Sequence, residues 1–224
     1  MARKIQFPDP NQAEDDGLVA VGGELSSDFL LAAYSQGIFP WFNEGEPLLW
    51  WSPNPRMVLF PKNFKLSKSL YQTIKNGKYK LKIDENFREV IEGCSTVKRK
   101  GQSGTWITED MVKAYTELHQ EGYAHCVETY RDDQLIGGLY GLSLGKAFFG
   151  ESMFHTEKDA SKFALYYLNQ LMLKWNYHFI DVQQSTPHLR SLGAVDVRRD
   201  EFLNRLKEAL DFPTMKRMWG AIEL

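Results

Sequence analysis

The stretch 146–154 and the helix predicted after it constrain the fold of this chain most. Large apolar residues dominate 146–154 and turn residues flank it, which predicts a strand. Glu151 lies in the middle of that strand, where a charge is unfavourable unless it is paired or near the surface. Asp159 can cap the helix that follows. The helix carries a wide apolar stripe at four-residue spacing, which predicts a face packed on a core: Phe163, Tyr167, Leu171 and Trp175.

A second carboxylate lies within the next predicted strand, residues 177–184. Asp181 is followed two positions later by Gln183, and alternation along a strand places both side chains on one face. Together with Glu151, these residues put three polar groups on two neighbouring apolar strands. The pattern therefore predicts a functional site at this part of the sheet.

Overall composition indicates an ordinary globular protein. The chain has 224 residues, of which 43% are hydrophobic and 25% charged, so it can form one or two domains with a proper core. Its formal net charge is −2, with 27 basic and 29 acidic residues. A global cationic field for nucleic acid is therefore absent, and any contact with RNA must use a local basic patch.

The sequence also limits the cellular context. The first residues have no apolar core of the kind that a secretory signal needs, and no apolar run is long enough to span a bilayer. Cys94 and Cys126 are isolated, which favours free thiols and the cytoplasm. The histidines show no metal-binding spacing, so we expect no metal.

The order of the predicted elements indicates an α+β fold. Residues 1–62 are rich in aromatic residues, proline and glycine, and predict a small N-terminal domain. Residues 63–224 predict a catalytic domain, in which a three-strand meander precedes a helix and a parallel-returning strand. We therefore expect a mixed sheet flanked by helices, an order similar to that of GNAT-like N-acyltransferases. Three side chains are predicted to cap helices: Ser26, Ser67 and Thr108.

Motifs distributed over nearly the whole chain resemble the leucyl/phenylalanyl-tRNA–protein transferase family. The most specific blocks are Gly-Ile-Phe-Pro-Trp at 37–41 and Gly-Glu-Ser-Met-Phe at 150–154. The other blocks appear in the family's order: 7–10, 17–26, 50–56, 104–108, 137–141, 159–162, 181–183 and 191–194. The resemblance implies transfer of leucine or phenylalanine from aminoacyl-tRNA to the N-terminal amine of proteins that begin with Arg or Lys. In that family the new residue marks the acceptor for degradation.

The resemblance also implies which residues carry the chemistry. Asp181 and Gln183 match the catalytic pair, in which the carboxylate polarises an amide that accepts from the attacking amine. An amide oxygen is a very weak base, so we expect Gln183 to orient the lone pair of the amine while Asp181 fixes the amide. Glu151 is expected to hold the α-ammonium or a ribose hydroxyl of the donor, or else to be a structural partner for a buried donor group.

The donor amino acid needs an apolar pocket, and its adenosine needs a stacking surface. By motif match, the substrate-binding residues predicted for the donor are Leu139, Phe148, Gly150, Met153, Leu165, Leu168, Met172 and Ile180. The apolar members would otherwise be plain core. Trp41 and Trp106 match the stacking positions, with burial as the alternative. Trp50 and Trp51 are the other candidates for stacking, or else belong to the core of the small domain.

Phosphate contacts with the tRNA are expected from four lysines on or near one predicted helix: Lys65, Lys68, Lys75 and Lys78. The basic segment 98–100 could add to this patch, and a solvated charged surface is the alternative.

Two other functions remain open from the sequence. One is an acetyl-CoA-dependent acyltransferase of similar fold, although the turn 155–160 lacks the glycines that such enzymes use to bind pyrophosphate. The other is a non-catalytic tRNA-binding module. We expect no cofactor, no contact with a membrane and a monomeric protein.

Overall fold

A computed structural model describes residues 5–97 and 106–221 of the chain. The basic segment 98–100 lies outside the described residues. The fold is a mixture of helices and strands, with a large mixed sheet flanked by helices, which confirms the predicted α+β class. Within the described ranges, no helix is both long and apolar enough to cross a bilayer.

Ten strands and seven α-helices follow one another in the described residues. The strands are β1 Leu18–Val21, β2 Phe39–Pro40, β3 Leu49–Trp51, β4 Arg56–Leu59, β5 Lys80–Ile83, β6 Ala124–Arg131, β7 Gln134–Leu144, β8 Ala147–His155, β9 Phe179–Gln183 and β10 Val195–Val197. The helices are α1 Ser27–Ser35, α2 Lys68–Lys75, α3 Phe87–Ser95, α4 Glu109–Gln120, α5 Ala160–Lys174, α6 Pro187–Ser191 and α7 Arg199–Leu210.

The large sheet has seven strands in the order β10-β4-β9-β8-β7-β6-β5. Strands β8 and β9 are parallel and are joined through helix α5, whereas the other neighbours in this sheet are antiparallel. This confirms the meander, the helix and the parallel return expected from the sequence.

A small three-stranded sheet, in the order β1-β3-β2, lies in the N-terminal region with helix α1. Strand β4 follows directly in the chain but pairs with β9 in the large sheet. The N-terminal region thus contributes a strand to the sheet that carries the predicted site. The domain division after residue 62 stays a prediction.

Two hydrophobic clusters cover the opposite faces of the large sheet. Side chains alternate along a strand, so consecutive residues belong to different clusters. Phe149 belongs to one cluster and Phe148 to the other. The first cluster includes side chains of α1, α3, α4 and α7. The second includes the buried stripe of α5. The sheet is therefore buried on both sides.

Three of the four predicted helix caps are confirmed. Ser26, Ser67 and Thr108 each accept a hydrogen bond from a backbone N–H of the first turn, at 3.4, 3.2 and 3.3 Å. The expected side-chain cap at Asp159 is wrong. This residue adopts a left-handed conformation with φ of 65°, and its carboxylate instead accepts from Lys162 Nζ at 3.0 Å. An ion pair one turn into the helix replaces the cap.

Gly145 forms the turn between β7 and β8 in a place where no other residue fits easily. Its φ is 55°, and a Cβ atom built there would lie 2.2 Å from the carbonyl oxygen of Ala209 at the end of α7. The close approach anchors the last helix against the strand that carries Glu151. Gly77 offers a matched comparison, because its φ is 60° and a Cβ atom there would meet nothing within 4 Å.

We predict that Gly145→Ala destabilises the protein more than Gly77→Ala does. Each substitution places a Cβ atom in the left-handed region at a cost of about 1–2 kcal/mol. Gly145→Ala adds an overpacking cost of about 1–3 kcal/mol. Urea unfolding of both variants measures the difference. Equal losses of unfolding free energy would show that Ala209 does not constrain the turn.

Candidate active site

Strands β8 and β9 separate at the place where the polar residues lie. Their parallel pairing covers Ala147 to Phe149 on β8 and ends at the pair of Phe149 with Asp181. Beyond that pair, β8 also contains a bulge, because Tyr140 and Gly141 of β7 face Ser152 and Gly150, which leaves Glu151 as the extra residue. A bulge re-aims the side chain of the residue it inserts. The separated strands and the bulge together bring Glu151 towards the end of β9.

Asp181 is held by a buried ion pair with Arg56. Arg56 Nε donates to Asp181 Oδ1 at 2.9 Å and Arg56 Nη2 donates to Oδ2 at 2.7 Å, and both side chains are fully buried. The guanidinium carbon lies 4.7 Å from the ring centroid of Phe39 and 4.5 Å from that of Phe202. A third donor bond runs from Nη1 to the carbonyl oxygen of Gly37 at 3.2 Å. Such a bidentate, stacked geometry is the one that suits a desolvated guanidinium.

Asp181 also fixes the end of β9. Its Oδ1 accepts from the backbone N–H of Gln183 at 3.0 Å, and Gln183 has a left-handed φ of 56°. The sequence leads us to expect that Asp181 contacts the side-chain amide of Gln183. In the structure, the contact of Asp181 is with the main chain instead, and the side-chain amide of Gln183 bonds Glu151.

The side-chain amide of Gln183 bonds Glu151. Gln183 Nε2 donates to Glu151 Oε1 at 3.1 Å, which brings the three predicted catalytic residues into one connected group. An ionised carboxylate accepts hydrogen bonds only, so this contact orients the amide with its nitrogen towards Glu151. Among the hydrogen bonds of the described residues, the side-chain amide of Gln183 uses its nitrogen and not its oxygen, and the residue is buried. The amide oxygen therefore keeps its capacity to accept a hydrogen bond.

Two buried tyrosines complete the surroundings of Glu151. Tyr115 Oη donates to Glu151 Oε2 at 3.2 Å, and the hydroxyl of Tyr34 shares a short hydrogen bond with that of Tyr115. Glu151 as a whole is partly exposed, but Gln183 and Tyr115 contact its carboxylate. Burial raises the pKa of Glu151 to about 7, although the hydrogen bonds from Tyr34 and Tyr115 act in the opposite direction. Glu151 can therefore change charge near neutral pH.

The predicted donor-pocket residues lie on the other face of the sheet. Six of them are buried in the cluster beneath α5, and Met153 packs against it: Leu139, Phe148, Leu165, Leu168, Met172 and Ile180. Gly150 is partly exposed at the separation of the strands, where a Cβ atom would lie 3.7 Å from the carbonyl oxygen of Asp181. Gly150 directly follows Phe149, the last residue of β8 that pairs with β9. The role of these residues as a pocket stays a prediction.

The two predicted stacking residues lie on the face of the polar group. Trp41 and Trp106 are both partly buried and pack against the first cluster. Trp41 also lies edge-on to Trp51, with ring centroids 6.0 Å apart. The role of both residues in stacking stays a prediction.

The four predicted tRNA-binding lysines are exposed. Lys68 begins α2 and Lys75 ends it, which confirms the predicted helix, and Lys65 precedes it. Lys78 lies beyond the helix and pairs with Glu157 at 3.4 Å. Their exposure is compatible with either a phosphate-binding patch or a solvated surface.

Sequence reasoning did not single out Arg56, Tyr34 or Tyr115 as members of this site. Arg56 and Tyr34 lie within blocks that match the family, but they are 125 and 117 residues away from Asp181 and Glu151 in the chain. The one available signal is chemical: a carboxylate inside an apolar strand requires a buried cation or donor. Among the described residues, no group of histidine, cysteine or acidic side chains could hold a metal ion.

We predict that Arg56→Gln lowers the free energy of unfolding by about 3–5 kcal/mol, because Asp181 is then buried as an unpaired charge. The double variant Arg56→Gln/Asp181→Asn carries no buried charge, so it should unfold at a higher urea concentration than Arg56→Gln alone. A double variant no more stable than the single one would contradict this account of the pair.

We also predict that Glu151 makes stability fall as pH rises. Its folded pKa of about 7 exceeds the ordinary value of 4.5, so the folded state binds more protons than the unfolded state between these values. The corresponding contribution is on the order of 3 kcal/mol, complete below about pH 4.5 and lost by about pH 7. Urea unfolding at pH 5 and pH 8 should show this loss in the wild type and a flatter dependence in Glu151→Gln. Identical pH dependences would remove Glu151 as its source.

Comparison with known proteins identifies the family. Residues 58–207 match the sequence profile described as leucyl/phenylalanyl-tRNA protein transferase, and residues 23–54 match the profile of its N-terminal domain. A leucyl/phenylalanyl-tRNA–protein transferase of Legionella pneumophila (strain Corby) is 52% identical over 214 residues, which cover 96% of each chain. One of Desulfatibacillum aliphaticivorans is 49% identical over 220 residues, covering 98% of this chain and 94% of the relative.

Similarity to solved structures is much more distant. A GCN5-related N-acetyltransferase-like protein from Streptococcus suis has a TM-score of 0.37 and 13% identity, over 86% of this chain and 84% of that chain. This likeness carries no argument about function. The two profiles and the relatives at about half identity over nearly the full length are decisive, and the chain belongs to the leucyl/phenylalanyl-tRNA–protein transferase family.

Proposed function

We propose that this protein is an aminoacyltransferase that moves leucine or phenylalanine from aminoacyl-tRNA to the N-terminal amine of an acceptor protein. Membership of the family gives the reaction class. The observation that carries the proposal is the amide of Gln183, whose nitrogen donates to Glu151 while its oxygen keeps the capacity to accept a hydrogen bond. Acceptors beginning with Arg or Lys, and their marking for degradation, belong to the proposal through the family resemblance.

The reaction forms one amide bond and breaks one ester bond. The acceptor amine attacks the carbonyl carbon of the aminoacyl ester, and the ribose oxygen of the terminal adenosine leaves with the electron pair of the broken bond. One proton of the amine ends on that oxygen. A protein α-amine has a pKa near ~8, so a useful fraction is already neutral at physiological pH. The demand on the protein is therefore mainly one of orientation.

Gln183 supplies that orientation in this proposal. Its amide oxygen accepts an N–H of the acceptor amine and so directs the lone pair towards the ester carbonyl. As the amine attacks, positive charge develops on its nitrogen and the hydrogen bond to the amide oxygen strengthens. Asp181 holds the backbone of Gln183 in place, and Arg56 neutralises the charge of Asp181.

Glu151 holds the other end of the Gln183 amide. An ionised Glu151 polarises the amide and makes its oxygen a better acceptor, which a protonated Glu151 does less well. The same carboxylate lies where the α-ammonium of the donor or a ribose hydroxyl can reach it, as the family resemblance implies. Its negative charge also favours an acceptor with a basic first residue.

In this proposal, the donor side chain passes from the polar group to the apolar cluster under α5 beyond the last β8–β9 pair, Phe149 with Asp181. Met153, which packs against that cluster, suits a pocket that takes both an aliphatic and an aromatic group. Trp41 and Trp106 would stack on the terminal adenosine, as aromatic residues do with single-stranded ends. The exposed lysines of the α2 region would contact the tRNA backbone.

The proposal also covers the oligomeric state, the location and the cofactor requirement of the protein. A monomer is the state that we propose. Aminoacyl-tRNA as donor supports a cytoplasmic location. No cofactor takes part in the reaction.

The alternatives fit the site less well. An acetyl-CoA-dependent acyltransferase needs a phosphate-binding turn before the helix, whereas the turn before α5 presents Glu157, which already pairs with Arg131 at 2.6 Å. A tRNA-binding module without catalysis gives no role to a glutamine whose backbone is fixed by Asp181 and whose carboxamide is held by Glu151.

One assay separates these functions. Labelled leucyl-tRNA and phenylalanyl-tRNA are each incubated with the protein and an acceptor that begins with Arg, with and without ribonuclease, and in parallel with labelled acetyl-CoA. The proposal predicts ribonuclease-sensitive transfer of the amino acid to the acceptor and no acetyl transfer. Acetyl transfer, or tRNA binding without transfer, would replace the proposal by one of the alternatives.

We predict that Gln183→Ala lowers the single-turnover transfer rate by about 10²-fold, the effect typical of losing one orienting group at a reacting centre. The affinity for aminoacyl-tRNA should change little, because the tRNA contacts lie elsewhere. Gln184→Ala is the matched control, since Gln184 is the exposed neighbour of the buried Gln183. Equal rates for the two variants would remove the amide from the reaction.

A further inference from the structure

The chain continues past its last helix and returns to the sheet. The hydroxyl of Thr214 accepts from the backbone N–H of Gly145 at 2.9 Å. Lys216 Nζ lies 4.2 Å from the ring centroid of Tyr123. The backbone N–H of Trp219 donates to the buried carboxylate of Asp84 at 2.7 Å. These contacts hold the segment 212–221 against the body of the protein, although the family profile ends at residue 207.

The indole of Trp219 lies inside the apolar cluster beneath α5. It is fully buried in the same cluster as the predicted donor-pocket residues. Its ring lies 5.7 Å from that of Phe148 and 5.0 Å from that of Trp175, measured between centroids. The indole also stacks on His125 at 3.8 Å with an interplanar angle of 8°. Trp219 is therefore packed against both the predicted pocket residue Phe148 and a buried polar support.

That support is itself held in place. His125 Nδ1 bonds Asp84 Oδ2 at 2.8 Å, and the same carboxylate oxygen receives the backbone N–H of Trp219. Burial lowers the pKa of His125, so the ring is neutral and donates through Nδ1. The indole Nε1 has no hydrogen-bond partner among the described residues. Replacing Trp219 by a smaller apolar residue thus removes ring volume and no side-chain hydrogen bond.

We infer that Trp219 forms the closed end of the donor pocket and sets its depth, so that it determines which donor side chains fit. The inference rests on the proposed function, in which the donor side chain enters between β8 and β9. That side chain meets Phe148 and Ile180 on its way in, and Trp219 backs Phe148. With Trp219 in place, Phe148 cannot retreat. With a smaller residue there, Phe148 moves back and the pocket accepts longer side chains.

The direction of the effect follows from the size of the donors. A deeper pocket leaves leucine with unfilled volume and gives phenylalanine or tryptophan more contact. A difference of one methylene in an apolar pocket changes discrimination by roughly 10–200-fold. Trp219→Leu should therefore raise the preference for phenylalanine over leucine by about tenfold and bring tryptophan into the accepted range.

Binding of donor analogues tests this without requiring turnover. Adenosine carrying leucine, phenylalanine or tryptophan through a stable 3′-amide is titrated into the wild type, Trp219→Leu and Trp219→Phe by calorimetry. Phe87→Leu is the matched control, because Phe87 is a buried aromatic residue of the opposite cluster. The inference is supported if the ratio of the Kd for the leucine analogue to the Kd for the phenylalanine analogue shifts in both Trp219 variants. The shift should be larger in Trp219→Leu than in Trp219→Phe, and absent in Phe87→Leu.

An unchanged ratio in both Trp219 variants, or an equal shift in Phe87→Leu, overturns the inference. Thermal unfolding of each variant verifies that it is folded, and Trp219→Phe serves if Trp219→Leu is too unstable. Transfer from the corresponding aminoacyl-tRNAs is measured alongside. A wild type that binds the analogues but transfers nothing would count against the proposed function alone, since the Kd ratios still test Trp219.

Discussion

The buried pair of Arg56 and Asp181 is the interaction on which the rest of the site depends. Two charges removed from water are stable only with excellent geometry, and here a bidentate contact, two aromatic rings and a carbonyl oxygen provide it. Arg56 is the first residue of β4, and Asp181 lies on β9, the strand that ends at Gln183. The ion pair therefore links β4 to β9. The spare capacity of Asp181 fixes the Gln183 backbone. The position of the reactive amide thus depends on a contact between residues distant in sequence.

The large sheet divides the two tasks that the reaction requires. One face presents the Gln183 amide, Glu151 and the buried tyrosines, and the other presents the apolar cluster that ends at Trp219. In the proposed reaction, the donor side chain passes between these faces next to the bulge at Glu151, where the pairing of β8 with β9 ends. Polar groups can therefore hold the reacting atoms while an apolar surface sorts the donor side chain. The polar face therefore needs no apolar binding residues, and the apolar face needs no polar ones.

Local patterns predicted the elements well, because helix caps and strand alternation act over a few residues. The strand containing Glu151, the stripe of α5 and the caps at Ser26 and Thr108 are examples. The grouping of Glu151, Asp181 and Gln183 was also predictable from polar residues on adjacent strands. Arg56 was not, because nothing local marks which distant cation neutralises a buried carboxylate. The Asp159 cap failed because this residue adopts a left-handed conformation instead of the extended one that is typical of an N-cap residue.

The central claim is that Asp181 positions Gln183 through its backbone, while the Gln183 amide is the group that meets the acceptor amine. The most direct measurement is the single-turnover rate of aminoacyl transfer by Arg56→Gln/Asp181→Asn, in which a neutral pair keeps hydrogen-bonding groups at both positions. We predict a rate within about tenfold of the wild type, far above that of Gln183→Ala, because the groups that touch the substrate are preserved. A rate as low as that of Gln183→Ala would show that the charge of Asp181 acts in the reaction itself, and would contradict this account.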